Sequence, residues 1–252
     1  MKALITGASS GIGRDMARIL SEQGYDLILV ARRKNRLEAL KEELKTDVEI
    51  ISMDLSSTFN CMKLYNKVKD KNIDLLINNA GFGLFGEFAD TPLDKELDMI
   101  DTNVKALHTL TKVFLQDFIE KDKGSILNVS SAAAFSAGPL MATYYGTKAY
   151  VLHLTEAINE ELRRNKSKVY VGAFCPGPVN TEFNKVAEVN FAIKGISSYD
   201  AAKAAIKGIK KRKTIIVPSA KIKLATIGAR LFPRKLVTRI SYNIQHGKNK
   251  KW

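Results

Sequence analysis

The feature that most constrains this chain is alternation. Short, nearly all-apolar runs recur between longer segments of helical periodicity. Ala3–Thr6, Leu27–Ala31, Val48–Met53, Ile73–Asn78, Ser125–Ser130, Val169–Phe174 and Thr214–Val217 read as strands. Ile12–Gln23, Asn35–Lys45, a segment ending near Lys69, Pro92–Lys121, Ala142–Asn165 and Tyr199–Lys211 read as helices. Strands without polar alternation expect cover on both sheet faces. Strand–helix–strand repetition demands parallel pairing through right-handed crossovers. The expected fold is therefore α/β, a doubly wound parallel sheet of about seven strands with helices on both faces. No repeat or linker divides it. Ligands in such sheets bind at the carboxyl ends of the strands.

Charge separates a body from a tail. The chain has 252 residues and a formal charge of +14, yet residues 1–200 hold 25 basic against 26 acidic side chains. From Ala201 onward there are 15 Lys and Arg and no acid. We read 1–218 as the α/β domain and 219–252 as a basic amphipathic tail packed on it or extending from it. With 45% hydrophobic residues and two Cys, disorder and a disulfide framework are excluded. The strand pattern beginning at Lys2 leaves no room for a cleavable leader, so none is expected. The longest uncharged stretch, Gly124–Thr147, carries Asn128, Pro139 and several hydroxyls, and reads as a buried strand and a polar loop rather than a membrane span. A cytoplasmic protein is expected, with a membrane-peripheral place open through the tail. His108, His153 and His246 have no ligand spacing, so no metal is expected.

The first strand runs into Thr6-Gly7-Ala8-Ser9-Ser10-Gly11-Ile12-Gly13. Glycines between a strand and a helix allow a tight turn and leave helix-end N–H groups free for a pyrophosphate. Gly7, Ser9, Ser10, Gly11, Ile12 and Gly13 are thus candidate dinucleotide contacts, on a Rossmann-like fold. The spacing is G-x-x-x-G-x-G. After the second strand the general fingerprint places an acid that binds a ribose 2′-hydroxyl. Here Arg32 and Arg33 stand instead, with no acid between Asp26 and Glu38. Guanidinium pairs with phosphate in a fork, so NADP(H) is preferred and NAD(H) is possible. The alternative is that both arginines are merely solvated.

Y-x-x-x-K occurs three times, at Tyr65–Lys69, Tyr144–Lys148 and Tyr199–Lys203. Only Tyr144 follows a strand ending in Ser130-Ser131, thirteen residues beyond Ser131. Tyr144 and Lys148 stand at i and i+4 on one helix face, where an ammonium would lower the phenol pKa toward neutrality. Tyr145 is followed four residues later by Ala149 and lacks that partner.

These segments, with Asn78-Asn79-Ala80-Gly81, Asn103 and Pro176-Gly177, resemble the short-chain dehydrogenase/reductases of the single-domain type. They match in the family's order across residues 1 to about 181. The resemblance implies a catalytic set of Asn103, Ser131, Tyr144 and Lys148. Tyr144 would exchange a proton with the substrate oxygen, and Ser131 would hold that oxygen, with Ser130 as the alternative. Lys148 would also hold the nicotinamide ribose, and Asn103 would hold a relaying water or only stabilise a helix kink. It further implies cofactor contacts at Asp54 and Leu55 (adenine), at Asn79, Ala80 and Gly81 (adenine ribose, or structure alone), and at Pro176, Gly177, Val179 and Thr181 (nicotinamide). Cys175 reads as packing.

The chain departs from many relatives after Ile215-Ile216-Val217-Pro218, where its long tail resembles the branch of steroid and fatty-acyl ketoreductases. Ile222, Leu224, Ala225, Ile227, Leu231 and Phe232 recur at roughly helical spacing among Lys and Arg, with Pro233 expected to break or restart the helix. An apolar cover for the substrate pocket or a dimer partner is favoured over a membrane surface, and no specific nucleic acid is expected. A homodimer, or a monomer, is expected rather than a tetramer. Ala132–Met141 and Glu182–Ser197 should rim the pocket, with Phe135, Leu140, Phe183, Val186 and Phe191 making it apolar. The function expected is interconversion of a lipophilic ketone, aldehyde or acyl ketone and its alcohol. The alternatives are a non-catalytic NADP-binding regulator or a membrane-surface protein on the same fold.

Overall fold

The computed structural model describes residues 1–183, 187 and 195–246. Its elements run β1 (Lys2–Thr6), α1 (Gly11–Glu22), β2 (Asp26–Ala31), α2 (Lys34–Glu43), β3 (Val48–Ser52), α3 (Thr58–Val68), β4 (Leu75–Asn78) and α4 (Leu93–Ile100). After a π-helical turn, Asp101–Ala106, come α5 (Leu107–Glu120), β5 (Ser125–Val129), α6 (Ala142–Arg164) and β6 (Tyr170–Phe174). β7 (Val179–Asn180), β8 (Ile196–Ser197), α7 (Ser198–Lys210), β9 (Ile215–Ile216), α8 (Ala220–Gly228) and α9 (Arg234–His246) complete the described chain.

Seven strands form one sheet in the order β3-β2-β1-β4-β5-β6-β9, every pair parallel. The expected architecture is therefore the observed one. Alternate strand residues point to opposite faces. Ala3 and Ile5 of β1 pack with α1, α2 and α7. Leu4, between them, packs with α3, α5 and α6. Burial on both faces is what the unbroken apolar runs foretold.

Two features were not legible. β7 and β8 pair as a separate two-stranded sheet beyond the end of β6. The helical stretch expected across Pro92–Lys121 is interrupted by the π turn, which turns Asn103 wholly inward. A third feature explains two polar residues in apolar strands. Asn78 Nδ2 donates to Thr111 Oγ1 and Asn128 Oδ1, both at 3.0 Å. Asn128 Nδ2 in turn donates to Thr155 Oγ1 at 3.0 Å. Buried polar groups need partners, and these bonds tie β4 and β5 to α5 and α6 just below the strand ends.

Candidate active site

The carboxyl ends of β1, β4, β5 and β6 open into one cavity of about 640 Å³, within the ordinary size of a ligand cleft. All the catalytic and cofactor residues singled out from sequence line it except Gly13 and Asn103.

One end is the glycine loop. Gly7 has φ +65°, a conformation that favours glycine. A Cβ there would lie 2.8 Å from Ala80 Cα. Gly13 is closed for another reason, since a Cβ would lie 2.4 Å from Asn79 Nδ2. Asn79 is the clamp. Its Nδ2 donates to Thr6 O at 3.0 Å and Gly7 O at 3.2 Å. Thr6 Oγ1 accepts from the backbone N–H groups of Asn79 and Ala80, at 2.9 and 3.0 Å. The Asn78–Gly81 turn thus locks the glycine loop by its own bonds.

Arg32 and Arg33 differ. Arg32 is 73% exposed and stands 3.8 Å from Asp54. Arg33 reaches across the loop, donating to Ser9 Oγ at 3.1 Å and Ser10 Oγ at 2.9 Å. It also donates to Glu182 at 2.8 Å.

The other end holds Ser131, Tyr144 and Lys148. Lys148 is buried, and its Nζ donates to Val129 O at 2.9 Å and lies 5.8 Å from the Tyr144 ring centre. Burial brings its ammonium down to about 8. Tyr144 keeps part of its surface open to the cavity, yet burial pushes its phenol up to about 12, partly countered by the Ser131 hydroxyl. The lowering expected from Lys148 is therefore not what the site shows, because desolvation disfavours the charged form of each group. Ser131 Oγ accepts from Ala133 N at 3.1 Å, fixing its position. Ser130 is committed elsewhere, donating to Lys148 O at 2.7 Å from a fully packed position. Of the three Tyr–Lys pairs only Tyr144–Lys148 meets the cavity. Tyr65 donates to Asp117 at 2.7 Å, and Tyr199 is exposed.

Asn103 stands behind this group. Its Nδ2 donates to Phe82 O at 2.9 Å and Thr147 Oγ1 at 3.1 Å, and its Oδ1 accepts from Phe82 N at 3.0 Å. The amide is spent on positioning the helix that carries Tyr144. Cys175 is buried, and burial pushes its thiol up to about 12, unsuited to a nucleophile.

The substrate side is apolar. Phe135 and Phe183 line the cavity, and Phe183 lies 5.3 Å from Tyr144, ring centre to ring centre. Leu140 is buried outside the lining, and Val186 and Phe191 fall outside the described residues. The single apolar face expected in the tail divides in two. Ile222, Ala225 and Ala229 face the cavity, whereas Leu224, Ile227, Leu231 and Phe232 are exposed. α8 closes at Gly228, before Pro233, which instead opens α9, its carbonyl accepting from Leu236 N and Val237 N, and α9 then adds Val237, Ile244 and Gln245 to the lining. Gln245 donates to Tyr145 Oη at 2.6 Å, so Tyr145 has a positioning role. Sequence reasoning missed α9, although its pocket positions Val237, Ile240, Ser241, Ile244 and Gln245 recur at helical spacing, with Ser241 and Gln245 interrupting the apolar series. Glu182 was noted only as the start of a rim segment.

A doubly wound sheet with a glycine turn and a Ser–Tyr–Lys group facing each other along its strand ends defines a class of oxidoreductase. The family described as short chain dehydrogenase matches residues 1–192, and the chain belongs to it. An uncharacterised oxidoreductase of Staphylococcus epidermidis is 33% identical over 181 residues, covering 71% of this chain and 78% of that protein. The human very-long-chain 3-oxoacyl-CoA reductase is 30% identical over 192 residues, 73% of this chain and 61% of its own length. Among solved structures, a short-chain dehydrogenase from Sphingobium yanoikuyae in complex with NADPH superposes with TM-score 0.82 at 32% identity, covering 91% of this chain and 93% of that one. No helix among the described residues is long and apolar enough to cross a membrane.

Proposed function

We propose that this oxidoreductase uses NADP(H), and NAD(H) less well, to interconvert a lipophilic ketone, aldehyde or acyl ketone and its alcohol. The observation that carries the reading is one cavity with Arg33 and the glycine loop at one end and Ser131, Tyr144 and Lys148 at the other. The residues suit the group. Gly7, Ser9, Ser10, Gly11, Ile12 and Gly13 would take the pyrophosphate side, with Arg32 and Arg33 near the adenosine ribose. Asp54 and Leu55 would meet adenine, and Pro176, Gly177, Val179 and Thr181 the nicotinamide. When bound, the nicotinamide supplies or accepts the hydride.

The chain's own work is with the proton. In reduction the substrate oxygen takes the proton from Tyr144 Oη. A phenol held near 12 stays protonated at neutral pH, so it is loaded for donation. Ser131 holds the same oxygen and orients it. The Lys148 ammonium offsets the phenolate left behind. Asn103 and Thr147 fix the helix that carries both.

The apolar rim and the tail residues over it support a lipophilic substrate. The bulky-bulky ketone specific alcohol dehydrogenase from Comamonas testosteroni, similar at 29% identity and TM-score 0.78, agrees with that reading. The outward tail residues Leu224, Leu231 and Phe232 support a homodimer contact. The basic side chains beside them support a peripheral contact with anionic lipid in a cytoplasmic protein.

The test is oxidation of NADPH and NADH with ketones and aldehydes of increasing chain length, with Tyr144→Phe as the blank. Turnover should prefer NADPH, rise with apolar size and fall about 10²–10⁴-fold in the variant, the range of a lost general acid. NADPH affinity should be nearly unchanged. A variant that keeps wild-type turnover refutes the role of Tyr144.

A further inference from the structure

Three successive residues after β7 each touch a different part of the site. A Cβ at Gly11 would lie 3.1 Å from Thr181 Cγ2, so Thr181 packs against the glycine loop. Phe183 packs against Tyr144. Glu182, between them, crosses the groove to the corner that follows β2. Its Oε2 accepts from Arg33 at 2.8 Å, and its Oε1 accepts from Arg36. The sequence separations are 149 and 146 residues. Glu182 and both arginines are still about two-fifths exposed, so the pairing lies at the surface of the groove.

The corner after β2 lacks the acid that a ribose 2′-hydroxyl would use. Glu182 brings a carboxylate to that corner from the opposite side. The two arginines hold its carboxyl well down, at about 2, so it is charged across the working pH range. Arg33 has further N–H groups on Ser9 and Ser10, and therefore has little left for another anion. A phosphate seeking the same guanidinium fork meets a carboxylate already in it, and two anions on one fork repel.

We propose that Glu182 is a specificity-determining residue: an internal carboxylate that competes with a ribose 2′-phosphate for Arg33 and Arg36. A dinucleotide carrying that phosphate must displace Glu182. One with a free 2′-hydroxyl leaves the pair intact. Glu182 therefore narrows the preference that Arg32 and Arg33 set, and it explains how both cofactors remain usable. The inference rests on the reading of this corner as the adenosine ribose site.

The experiment is calorimetric titration of the full chain with 2′,5′-ADP and with 5′-ADP, for wild type, Glu182→Gln and Glu182→Asp. These probes share the adenosine and the first 5′-phosphate and carry two phosphates each; they differ in whether the second sits on the ribose 2′-oxygen or extends the 5′ end, and they report no turnover. Gln preserves side-chain length and removes the charge. Its Kd for 2′,5′-ADP should fall at least fivefold, with that for 5′-ADP within twofold of wild type. Asp keeps the charge but is one methylene shorter, and should fall between. An unchanged or weakened 2′,5′-ADP affinity in Glu182→Gln, with wild type binding both probes, overturns the competition and leaves the cofactor site standing. Wild type binding neither probe overturns the site reading and the inference with it. Equal tightening of both probes also overturns it, since that marks loss of a barrier to any ligand.

Discussion

The glycine end and the tail end of the cavity are held in different ways. At the glycine end, Asn79 and Thr6 bind backbone atoms directly, and Gly7 and Gly13 leave no space for one added carbon. At the tail end, Ile222, Val237 and Ile244 line the wall with apolar surface. A polar link there is Gln245 to Tyr145 at 2.6 Å. Directional bonds fix one shape, whereas apolar contacts are non-directional and tolerate volume-conserving change. An invariant ligand suits the first end and a variable one suits the second. The difference teaches where substitutions should act: on cofactor affinity and stability at one end, on substrate range at the other.

The hardest test of the rigid end is Gly13→Ala. Its Cβ would stand 2.4 Å from Asn79 Nδ2 and 2.6 Å from Gly7 O. Overpacking costs about 1–3 kcal/mol, or a Tm loss of roughly 2–4 °C for each kcal/mol in a chain of this size. Because the carbonyl that must move belongs to the loop itself, NADPH affinity should fall by about thirtyfold or more, some 2 kcal/mol. Thermal melts and NADPH titration check both. Wild-type values would mean that the clamp yields, and the contrast between the two ends would fail.

The adaptable end is tested by Val237→Asp, which puts a charge into the apolar wall. KM for a long-chain ketone should rise about tenfold, the worth of about 1.4 kcal/mol. KM for a small ketone should change less, and NADPH affinity should stay within twofold. Equal losses for both ketones would show that α9 supports the site as a whole and does not grade substrates by size.

What the sequence disclosed follows the same division. Gly7 was readable because few residues other than glycine accept its backbone angle, and the strands because burial on both faces leaves no polar alternation. Ser130 and Ser131 both follow β5 and line the cavity, and what separates them is that the Ser130 hydroxyl is spent on Lys148 O, a contact eighteen residues away without a local signal. Arg32 and Arg33 looked equivalent, yet only Arg33 turns back over the loop. Glu182 meets its arginines across about 150 positions, and no local pattern announces such a contact. The tail showed apolar spacing, but spacing alone did not tell which of Ile222 and Leu224 faces inward.

The smallest effect distinguishes the two ends through Lys148, which sits between them. An ordinary lysine would keep its charge to about pH 10. Burial brings this one down to about 8. The charged form is the one that offsets the phenolate, so the sign is fixed. As pH rises through 8 the ammonium is lost and reduction slows, while Tyr144, near 12, remains protonated throughout. For reduction, kcat/KM should fall about fourfold between pH 7 and 8.5, reporting the free enzyme's group. A profile flat to pH 10 would mean that Lys148 keeps its charge and is solvated through the cavity. The site's polarity would then extend from the glycine loop past Tyr144, and the apolar end would begin only at the tail.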